Sequence, residues 1–372
     1  MEHISAGLVV IYDGQILLVR QTGDLTGHHL SIPKGLISEG ETPLEAAIRE
    51  TYEETGLKLS ANEIGPKPYL MNIDAPLFKR RIIYYVAILK DHPRLNPMDK
   101  EEILWAGFVG YKEAEHKLQI TQLSVLMHLN SDKLPSRATD WLCANGFMTC
   151  ESHHDDNLLI YNYTSKCKVT QLWNEITLWS RGLIVDKDNN IRYRPLKKFF
   201  EEIQMYPEFI PKEFKDFQLF EKKDGALGIL YWTTSGHPYI ATRGSFNTLQ
   251  AINGTRILYN KYYNEIRKLD KTYTYFFEII YPKDKHVVDY GDTENLFLIG
   301  AFDNINKTDV LPSQLSGLKF PTVKQIDDYG DWSDLNSIDI ENEEGYVAYF
   351  EDGTRIKIKF DSYKAKHAAI FG

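Results

Sequence analysis

The stretch "GLISEGETPLEAAIRETYEETGL", Gly35 to Leu57, has the spacing of one amphipathic helix with an acidic face. The stripe that the helical period turns towards a core consists of Leu44, Ala47, Ile48 and Thr51. Glu50, Glu53 and Glu54 fall on the other side. Carboxylates that share a helix face repel one another unless cations lie between them, and hard oxygen ligands suit Mg²⁺ or Mn²⁺. The stretch therefore predicts a divalent metal site, with a solvated acidic surface as the alternative.

Length and composition predict a soluble protein of two domains. The 372 residues exceed the roughly 100 to 200 residues of one domain, and no apolar run reaches the ~18 residues of a membrane span. The N-terminus lacks the pattern of a targeting signal, and the three cysteines have no metal-ligand spacing, so we expect a cytoplasmic location. The net charge is −9, with 15 basic and 19 acidic residues in 1–140 and 28 and 33 in the rest. Any nucleic-acid binding therefore depends on a local basic cluster.

The pattern of polar and apolar residues along the sequence changes near residue 140. Before it, a hairpin around Asp13-Gly14, the acidic helix and an amphipathic helix predicted across 111–129 indicate an α/β or α+β domain. The polar residues 130–140 contain one proline and no periodicity, so we predict a first domain 1–132, a linker 133–140 and a second domain 141–372. Short aromatic and β-branched runs in the second domain predict a mixed, largely antiparallel sheet with few helices.

The acidic helix lies inside a longer pattern. Its fixed positions are Gly35, Glu41, Arg49, Glu50, Glu53, Glu54 and Gly56. In this arrangement residues 1–132 resemble a Nudix hydrolase. The resemblance implies an α/β/α sandwich in which Glu50, Glu53 and Glu54 hold metal ions while Arg49 orients a glutamate. It also implies hydrolysis of a nucleoside diphosphate linked to another group, with metal ions activating a water and polarising a pyrophosphate. Thr51 departs from the family, which usually has an aliphatic residue there.

The substrate of this domain is less clearly indicated. The segment "SIPKG", Ser31 to Gly35, which precedes the pattern, resembles the corresponding segment in the hydrolases of dinucleoside polyphosphates and of RNA 5′ ends. Glu101 or Glu102 is a candidate for a further ligand or base, with an exposed surface charge as the alternative for each. The run Lys79–Arg81 could meet phosphates or form a solvated strand edge.

A second pattern surrounds Lys222, Asp224 and Gly225, which fit K-x-D-G. In chain order the accompanying stretches are "RGLIVD", "RPLKKFFE", "TRGS", "FFEIIYPKDKHVVDYG", "EGYV" and "KIK". This ordered set resembles the covalent nucleotidyltransferases, closest to the tRNA-repair RNA ligases of T-even phages, whose catalytic domain has an ATP-grasp-like mixed sheet. The resemblance covers about 155 to 367. It implies that Lys222 attacks the α-phosphate of ATP and carries AMP, which passes to an RNA 5′-phosphate before a 3′-OH seals the strand.

The residues around Lys222 suit this chemistry. A lysine ammonium is not nucleophilic, so the site has to favour the neutral amine with neighbouring cations or metal. In "RIKIKF", Lys357 and Lys359 share a strand face that would meet the α-phosphate, and the tight turn "EDGT" brings Glu344 beside them to bind metal or steady the lysine. Phe276 and Glu278 point the same way, which gives a ring for adenine and a carboxylate for the ribose. Candidates for ATP or RNA phosphates are Arg181, Lys198 and Arg243, each with a plain surface charge as the alternative.

The second resemblance has two departures. Glu201 stands where the ligases usually have asparagine, which leaves the role of that loop open. Only 13 residues follow Lys359, too few for the extra C-terminal domain that commonly sets RNA specificity.

Both patterns together predict a bifunctional enzyme for RNA ends, with ATP and Mg²⁺ or Mn²⁺ as cofactors. Ligases of this kind need a 5′-monophosphate, and a Nudix domain that trims a 5′-triphosphate or a cap would make one. Two alternatives stay open at this point. The Nudix domain could cleave adenylated RNA or diadenosine polyphosphates, or it could sense nucleotides and regulate the ligase without catalysis.

Overall fold

The computed structural model describes residues 3–23, 29–75, 78–98 and 100–371, without the side chains of 73–75, 78, 79 and 371. Two compact units emerge from it. The first comprises Met1–Cys150, Asn162–Ser180 and Asp186–Ile191, and the second comprises Glu151–Tyr161, Arg181–Val185 and Arg192–Gly372. The chain therefore crosses between the units several times after residue 150. The domain limits taken from the sequence stay a prediction.

The first unit is built on one mixed sheet. Its strands are β1 (His3–Tyr12), β2 (Gln15–Gln21), β3 (Lys34–Leu36), β4 (Tyr69–Ala75), β5 (Phe78–Ile88) and β6 (Ile103–Gly110). The order is β4-β5-β1-β2-β6, with β3 paired to β1 beside this path. The ladder between β1 and β5 is parallel, whereas β2 and β6 are antiparallel. Asp13 and Gly14 join β1 to β2 at φ 46° and 69°, the left-handed pair that a two-residue hairpin turn requires.

The helices of this unit are α1 (Pro43–Thr55), α2 (Tyr111–Lys117), α3 (Leu126–Leu129) and α4 (Ser136–Ala144), with 3₁₀ turns at Ala61–Glu63 and Ile120–Val125. α1 begins where Thr42 and Glu45 form a capping box and ends at Gly56, which is left-handed at φ 75°. Its predicted core stripe packs on the sheet. Thr51 is fully buried, and its hydroxyl donates to Ala47 O at 2.7 Å, so this polar residue is satisfied inside the core.

One expectation about local structure was wrong. The single helix predicted across 111–129 is broken into α2, a 3₁₀ turn and α3, because Gln119 N donates to Leu30 O and Leu30 N donates to Lys117 O. This backbone pairing takes Leu118 and Gln119 out of the helix. The stretch predicted as a linker, 133–140, includes the first residues of α4, which buries Ala138 and Leu142.

The middle of the chain contains β7 (Met148–Ser152), β8 (Leu158–Tyr163), α5 (Ser165–Thr170), α6 (Glu175–Trp179), β9 (Arg181–Asp186) and β10 (Ile191–Tyr193). Of these, β9 opens with Arg181, which belongs to the second unit.

The second unit contains two antiparallel sheets. The strands are β11 (Phe217–Lys222), β12 (Ala226–Trp232), β13 (Pro238–Ala241), β14 (Tyr273–Ile280), β15 (Asn295–Asp303), β16 (Thr308–Val310), β17 (Gln325–Ile326), β18 (Gly345–Phe350) and β19 (Arg355–Lys359). The orders are β17-β11-β18-β19 and β13-β12-β14-β15-β16. The helices are α7 (Leu249–Ile266), α8 (Trp332–Leu335) and α9 (Asp361–Phe371), with 3₁₀ turns at Glu202–Gln204, Pro207–Phe209 and Pro312–Leu315.

The expected antiparallel architecture and the hairpin between β18 and β19 are both present. Each sheet has its own apolar core, one around Phe277 and Leu298 and one around Leu219 and Ile356. Among the described residues, no helix is both long and apolar enough to cross a membrane.

Candidate active sites

In the first unit, one arginine gathers the acidic residues of the Nudix pattern. The Arg49 guanidinium donates to both carboxylate oxygens of Glu41 at 2.8 and 2.9 Å, to Glu50 at 2.6 Å and to Glu53 at 3.2 Å. It also donates to Leu36 O at 3.0 Å, which ties α1 to the preceding strand. The hydrogen bonds from Arg49 lower the pKa of Glu41 to about 2. A guanidinium offers several donors in a fixed fork, so it can hold several carboxylates in place together.

The three predicted metal ligands differ in their exposure. Glu54 is buried, its carboxylate accepts from Lys34 N at 3.2 Å, and burial raises its pKa to about 8. Burial also raises the pKa of Glu50, while the side chain of Glu53 is 47% exposed. A Cβ at Gly35 would overlap the Glu50 carboxyl group, so only glycine leaves room for that ligand.

The donor set fits a divalent cation in its chemistry. Hard carboxylate oxygens at i, i+3 and i+4 share one helix face, and two of them are drawn out of water, where a cation would favour their charged forms. Within the part of the chain that the structure describes, no three His, Cys, Asp or Glu side chains are gathered around a common metal position. Glu50 and Glu53 turn to Arg49, and Glu54 turns to Lys34 N.

Further charges surround these glutamates. Burial lowers the pKa of the Lys34 ammonium, and the charges of Glu54, Arg80, Glu50 and Glu102 also act on it. Arg80 and Glu102 therefore lie near the site, and the side chain of Lys79 lies outside the described residues. Sequence reasoning assigned no role to Lys34, although it stands in the quoted "SIPKG" directly before the pattern.

In the second unit, Lys222 ends β11 and reaches a buried carboxylate. Its Nζ donates to Glu344 Oε2 at 2.7 Å, and Lys359 Nζ lies 3.3 Å from Glu344 Oε1. Glu344 is 4% exposed and directly precedes Gly345, which pairs with Lys222 on one side and with Lys359 on the other. Gly345 has φ 145°, and a Cβ there would overlap the carbonyl oxygen of Ile358. The glycine thus permits the close approach of strands that brings the two lysines to one glutamate.

The turn after Lys222 is held by partners far along the chain. Asp224 Oδ2 accepts from the backbone N–H groups of Val287 and Val288 at 2.8 and 3.0 Å, and its Oδ1 accepts from Tyr363 Oη at 3.0 Å. Asp224 N donates to Tyr290 Oη at 2.8 Å. Sequence reasoning missed both tyrosines, because no local pattern links them to a residue 66 or 139 positions away.

Glu278 lies close to the same lysine. Its carboxylate accepts from Gly225 N at 3.0 Å. Desolvation raises its pKa to about 7, against the opposing charge of Lys222, while Glu344 raises it further and Arg181 lowers it. Phe276 is fully buried and leaves no open ring face in this structure, so its role with adenine stays a prediction.

Several cations share this environment. Burial lowers the pKa of Lys357 to about 8, and the charges of Lys359, Lys222 and Arg181 lower it further. Glu201 acts in the opposite direction, since Lys357 N donates to Phe200 O at 3.0 Å and so brings the neighbouring Glu201 close. A group of amines near one another favours neutral forms and attracts phosphate.

The remaining predicted phosphate ligands have other contacts. Lys198 Nζ donates to Phe199 O at 3.0 Å and lies 4.2 Å from the centroid of the Phe200 ring. Arg243 is exposed, and its Cα lies beside Gly182, the residue after Arg181. Their roles stay predictions.

Comparisons with known proteins find a family match in each half of the chain. A family model described as a NUDIX domain matches residues 1–129, and one described as RNA ligase matches residues 179–366, half of the chain. The bis(5′-nucleosyl)-tetraphosphatase [asymmetrical] of Mus musculus is 42% identical over 67 residues, which cover 18% of this chain and 45% of that protein. The RNA pyrophosphohydrolase of Rhizobium meliloti (strain 1021) is 38% identical over 77 residues, 17% of this chain and 46% of that protein. The chain thus spans less than half the length of these curated relatives.

Among solved structures, an Ap4A hydrolase of C. elegans in a binary complex is similar at 19% identity. The match covers 38% of this chain and 98% of that one, with a TM-score of 0.29.

Proposed function

The chain belongs to the RNA ligase family and carries a NUDIX hydrolase domain ahead of its ligase domain, and from this premise we propose a bifunctional enzyme that prepares RNA 5′ ends and joins them. The observation that carries the ligase half is the triad of Lys222, Glu344 and Lys359, in which one buried carboxylate holds two ammonium groups at 2.7 and 3.3 Å. A cytoplasmic location is part of the proposal and is supported by the cysteine content, three residues without metal-ligand spacing.

In the ligase domain, Lys222 is the proposed nucleophile. Its ammonium first loses a proton, and the neutral Nζ then attacks the α-phosphorus of ATP. A P–N bond forms, the bond to pyrophosphate breaks, and the nitrogen releases a second proton to solvent as pyrophosphate leaves. The RNA 5′-phosphate then displaces the lysine and takes the AMP. A 3′-OH attacks that 5′-phosphate, a phosphodiester forms and AMP leaves.

The neighbours of Lys222 have separate proposed tasks. Glu344 orients the amine, and Lys357, Lys359 and Arg181 offset the negative charge that develops on the α-phosphate. Mg²⁺ or Mn²⁺, with Glu344 as a ligand, would supply further charge to the phosphates when bound.

In the NUDIX domain, Glu50, Glu53 and Glu54 would hold Mg²⁺ or Mn²⁺, which supplies Lewis-acid polarisation of a pyrophosphate and an activated water when bound. Arg49 keeps Glu41, Glu50 and Glu53 in one arrangement, and Lys34 and Arg80 offer cations to the substrate phosphates. The proposed substrate is an RNA 5′-triphosphate or cap, and the product is the 5′-monophosphate that the ligase domain uses. The relative named RNA pyrophosphohydrolase supports this choice.

The relative named a bis(5′-nucleosyl)-tetraphosphatase favours a second candidate, cleavage of dinucleoside polyphosphates or adenylated RNA formed during ligation. The two candidates differ in product. The first yields monophosphate RNA from triphosphate RNA. The second releases AMP from adenylated RNA and leaves triphosphate ends untouched.

The test supplies purified protein with ATP, Mg²⁺ and RNA that has a free 3′-OH and either a 5′-monophosphate or a 5′-triphosphate. Variants are Lys222→Ala and the pair Glu53→Gln with Glu54→Gln. The exposed residues Glu39 and Lys364, changed to Gln and Ala, are matched controls. Sealing of triphosphate RNA by the wild type and the controls, but not by the glutamate pair, is expected. If only monophosphate RNA is sealed, with or without the glutamates, the two domains do not act in series. The substrate of the NUDIX domain would then be sought among free nucleotides. Changes in ligation with no hydrolysis of any nucleotide would indicate a sensor.

A further inference from the structure

The outer face of α7 exposes large apolar side chains. Leu249 is 72% exposed, Ile252 54% and Tyr263 54%, and Tyr239 on the neighbouring edge strand β13 is 42% exposed. Helical spacing places Leu249 and Ile252 on one side of the helix, opposite the buried Leu258, and Tyr263 follows a kink at Tyr262. A row of exposed apolar side chains on one element is a common mark of a binding surface.

Three tyrosine rings and an arginine form a continuous row along this face. The ring centroids of Tyr239 and Tyr259 are 6.5 Å apart, and those of Tyr259 and Tyr263 are also 6.5 Å apart. The Arg267 guanidinium lies over the Tyr263 ring at 5.8 Å from its centroid. Tyr259 Oη donates to Pro238 O at 3.1 Å, which fixes the middle ring between helix and strand. We call Tyr239, Tyr259, Tyr263 and Arg267 the tyrosine row.

The charge near the tyrosine row suits a polyanion. Residues 249–271 contain five basic and two acidic residues in a chain of net charge −9. One of the two acids, Glu265, is buried and paired with Lys268 at 2.9 Å, and one of the basic residues, Arg256, is paired with Glu294 outside the stretch. In the described part of the chain no carboxylate forms an ion pair with Arg267. Lys271 lies near the end of the row, 4.8 Å from the Trp232 ring centroid.

The helix that carries Tyr259 and Tyr263 begins beside the ligase site. Gln250, at the start of α7, donates through Nε2 to Asp284 at 3.1 Å. Asp284 belongs to the loop whose Val287 and Val288 amides hold Asp224, two residues after Lys222. From there α7 runs to Ile266, with a kink at Tyr262, where the backbone leaves helical φ/ψ. A strand held in the site could therefore continue along this face.

Exposed aromatic rings combined with arginines are the combination that binds single-stranded nucleic acid without sequence preference, because every base has a face that stacks. We propose that the tyrosine row holds a single-stranded segment of the RNA being joined, with bases stacked on the tyrosines and phosphates near Arg267 and Lys271. This inference rests on the proposed ligase function, and it assigns RNA binding to the catalytic unit itself.

The experiment measures binding and adenylylation separately. Binding is followed by fluorescence anisotropy with a 5′-phosphorylated oligo(A) RNA of about 12 nucleotides, labelled at its 3′ end, in the absence of ATP. Formation of lysyl-AMP is followed with labelled ATP in the absence of RNA. The test variant is Tyr239→Ala with Tyr263→Ala, and Tyr239→Phe with Tyr263→Phe retains both rings. Ile305→Ala, at a residue 70% exposed outside the row, is the control for the loss of an exposed apolar side chain elsewhere.

The double alanine variant is expected to bind the RNA about 5-fold or more weakly, with lysyl-AMP formation unchanged. The double phenylalanine variant and Ile305→Ala should bind like the wild type. Arg267→Ala should reduce the slope of log binding constant against log salt by about one. RNA binding by the double alanine variant at wild-type strength overturns the proposal, as does a wild type that forms lysyl-AMP but binds no RNA. Equal loss of duplex RNA binding overturns the single-strand assignment. Failure of the proposed function is distinct, because the wild type would then form no lysyl-AMP with ATP alone.

Discussion

Replacing Glu344 by glutamine removes the charge that two ammonium groups share. At an effective dielectric constant of about 20, the 2.7 Å pair with Lys222 and the 3.3 Å pair with Lys359 correspond to Coulomb energies of about 6 and 5 kcal/mol. Most of this offsets the cost of taking the 4% exposed carboxylate out of water. Both lysine side chains are 22% exposed and can regain some water. We therefore expect the net loss at the low end of the range for a broken buried pair, about 3 kcal/mol.

Thermal unfolding followed by calorimetry measures this change. For a unit of this size, about 3 kcal/mol lowers the midpoint of its transition by about 6 to 12 °C. The matched control is Glu341→Gln, since Glu341 is 84% exposed and pairs with Lys366 at 3.1 Å. An exposed pair contributes about 0 to 1 kcal/mol, so this variant should unfold close to the wild type. ATP should recover part of the loss in Glu344→Gln, because its phosphates offset the lysine charges. Equal midpoints for the two variants would refute the reasoning.

Three further predictions follow from single residues. The pKa of Glu54 in the folded protein, about 8, lies above its ordinary value of 4.5. The contribution of Glu54 to the stability of the fold is therefore complete below pH 4.5 and is lost as the pH rises through 8. Glu54→Gln should therefore raise the metal-free unfolding midpoint at pH 8 while it abolishes hydrolysis, and a lower midpoint would contradict this. Gly345→Ala should abolish lysyl-AMP formation, because the new Cβ would overlap the backbone of Ile358. The control Gly353→Ala, at φ 81° with open space around its Cβ, should lower the free energy of unfolding by about 1 to 2 kcal/mol and keep activity. Thr51→Val should change the free energy of unfolding by less than about 1.5 kcal/mol and leave hydrolysis intact, because it removes one neutral hydrogen bond within α1. A loss of hydrolysis would show that the Thr51 hydroxyl has a role in the reaction.

Local patterns in the sequence predict much of both sites. The period of α1 separates its core stripe from the glutamates, and strand alternation places Lys357 and Lys359 on one side of β19. The hairpin between β18 and β19 then brings Glu344 to them, as expected. These features follow from spacing within about 20 residues, which a single sequence displays directly.

Features that depend on distant partners could not be predicted in the same way. Alternation places Phe276 and Glu278 on one face, but it does not say that the face at Phe276 is closed by protein. Tyr363 holds Asp224 through a single hydrogen bond between distant parts of the chain. The break after α2 likewise depends on pairing with Leu30, which overrides the helical period of its own sequence.

Arg49 acts as a resident counterion for the acidic cluster. Without it, Glu41, Glu50 and Glu53 would lie together as an uncompensated negative charge unless a cation were bound. With the guanidinium in contact with all three carboxylates, the unit can reach its native arrangement before any divalent cation arrives. Binding of the proposed metal would then be an exchange of partners rather than a folding event. The affinity for that cation would be reduced by the strength of the contacts that Arg49 has to release.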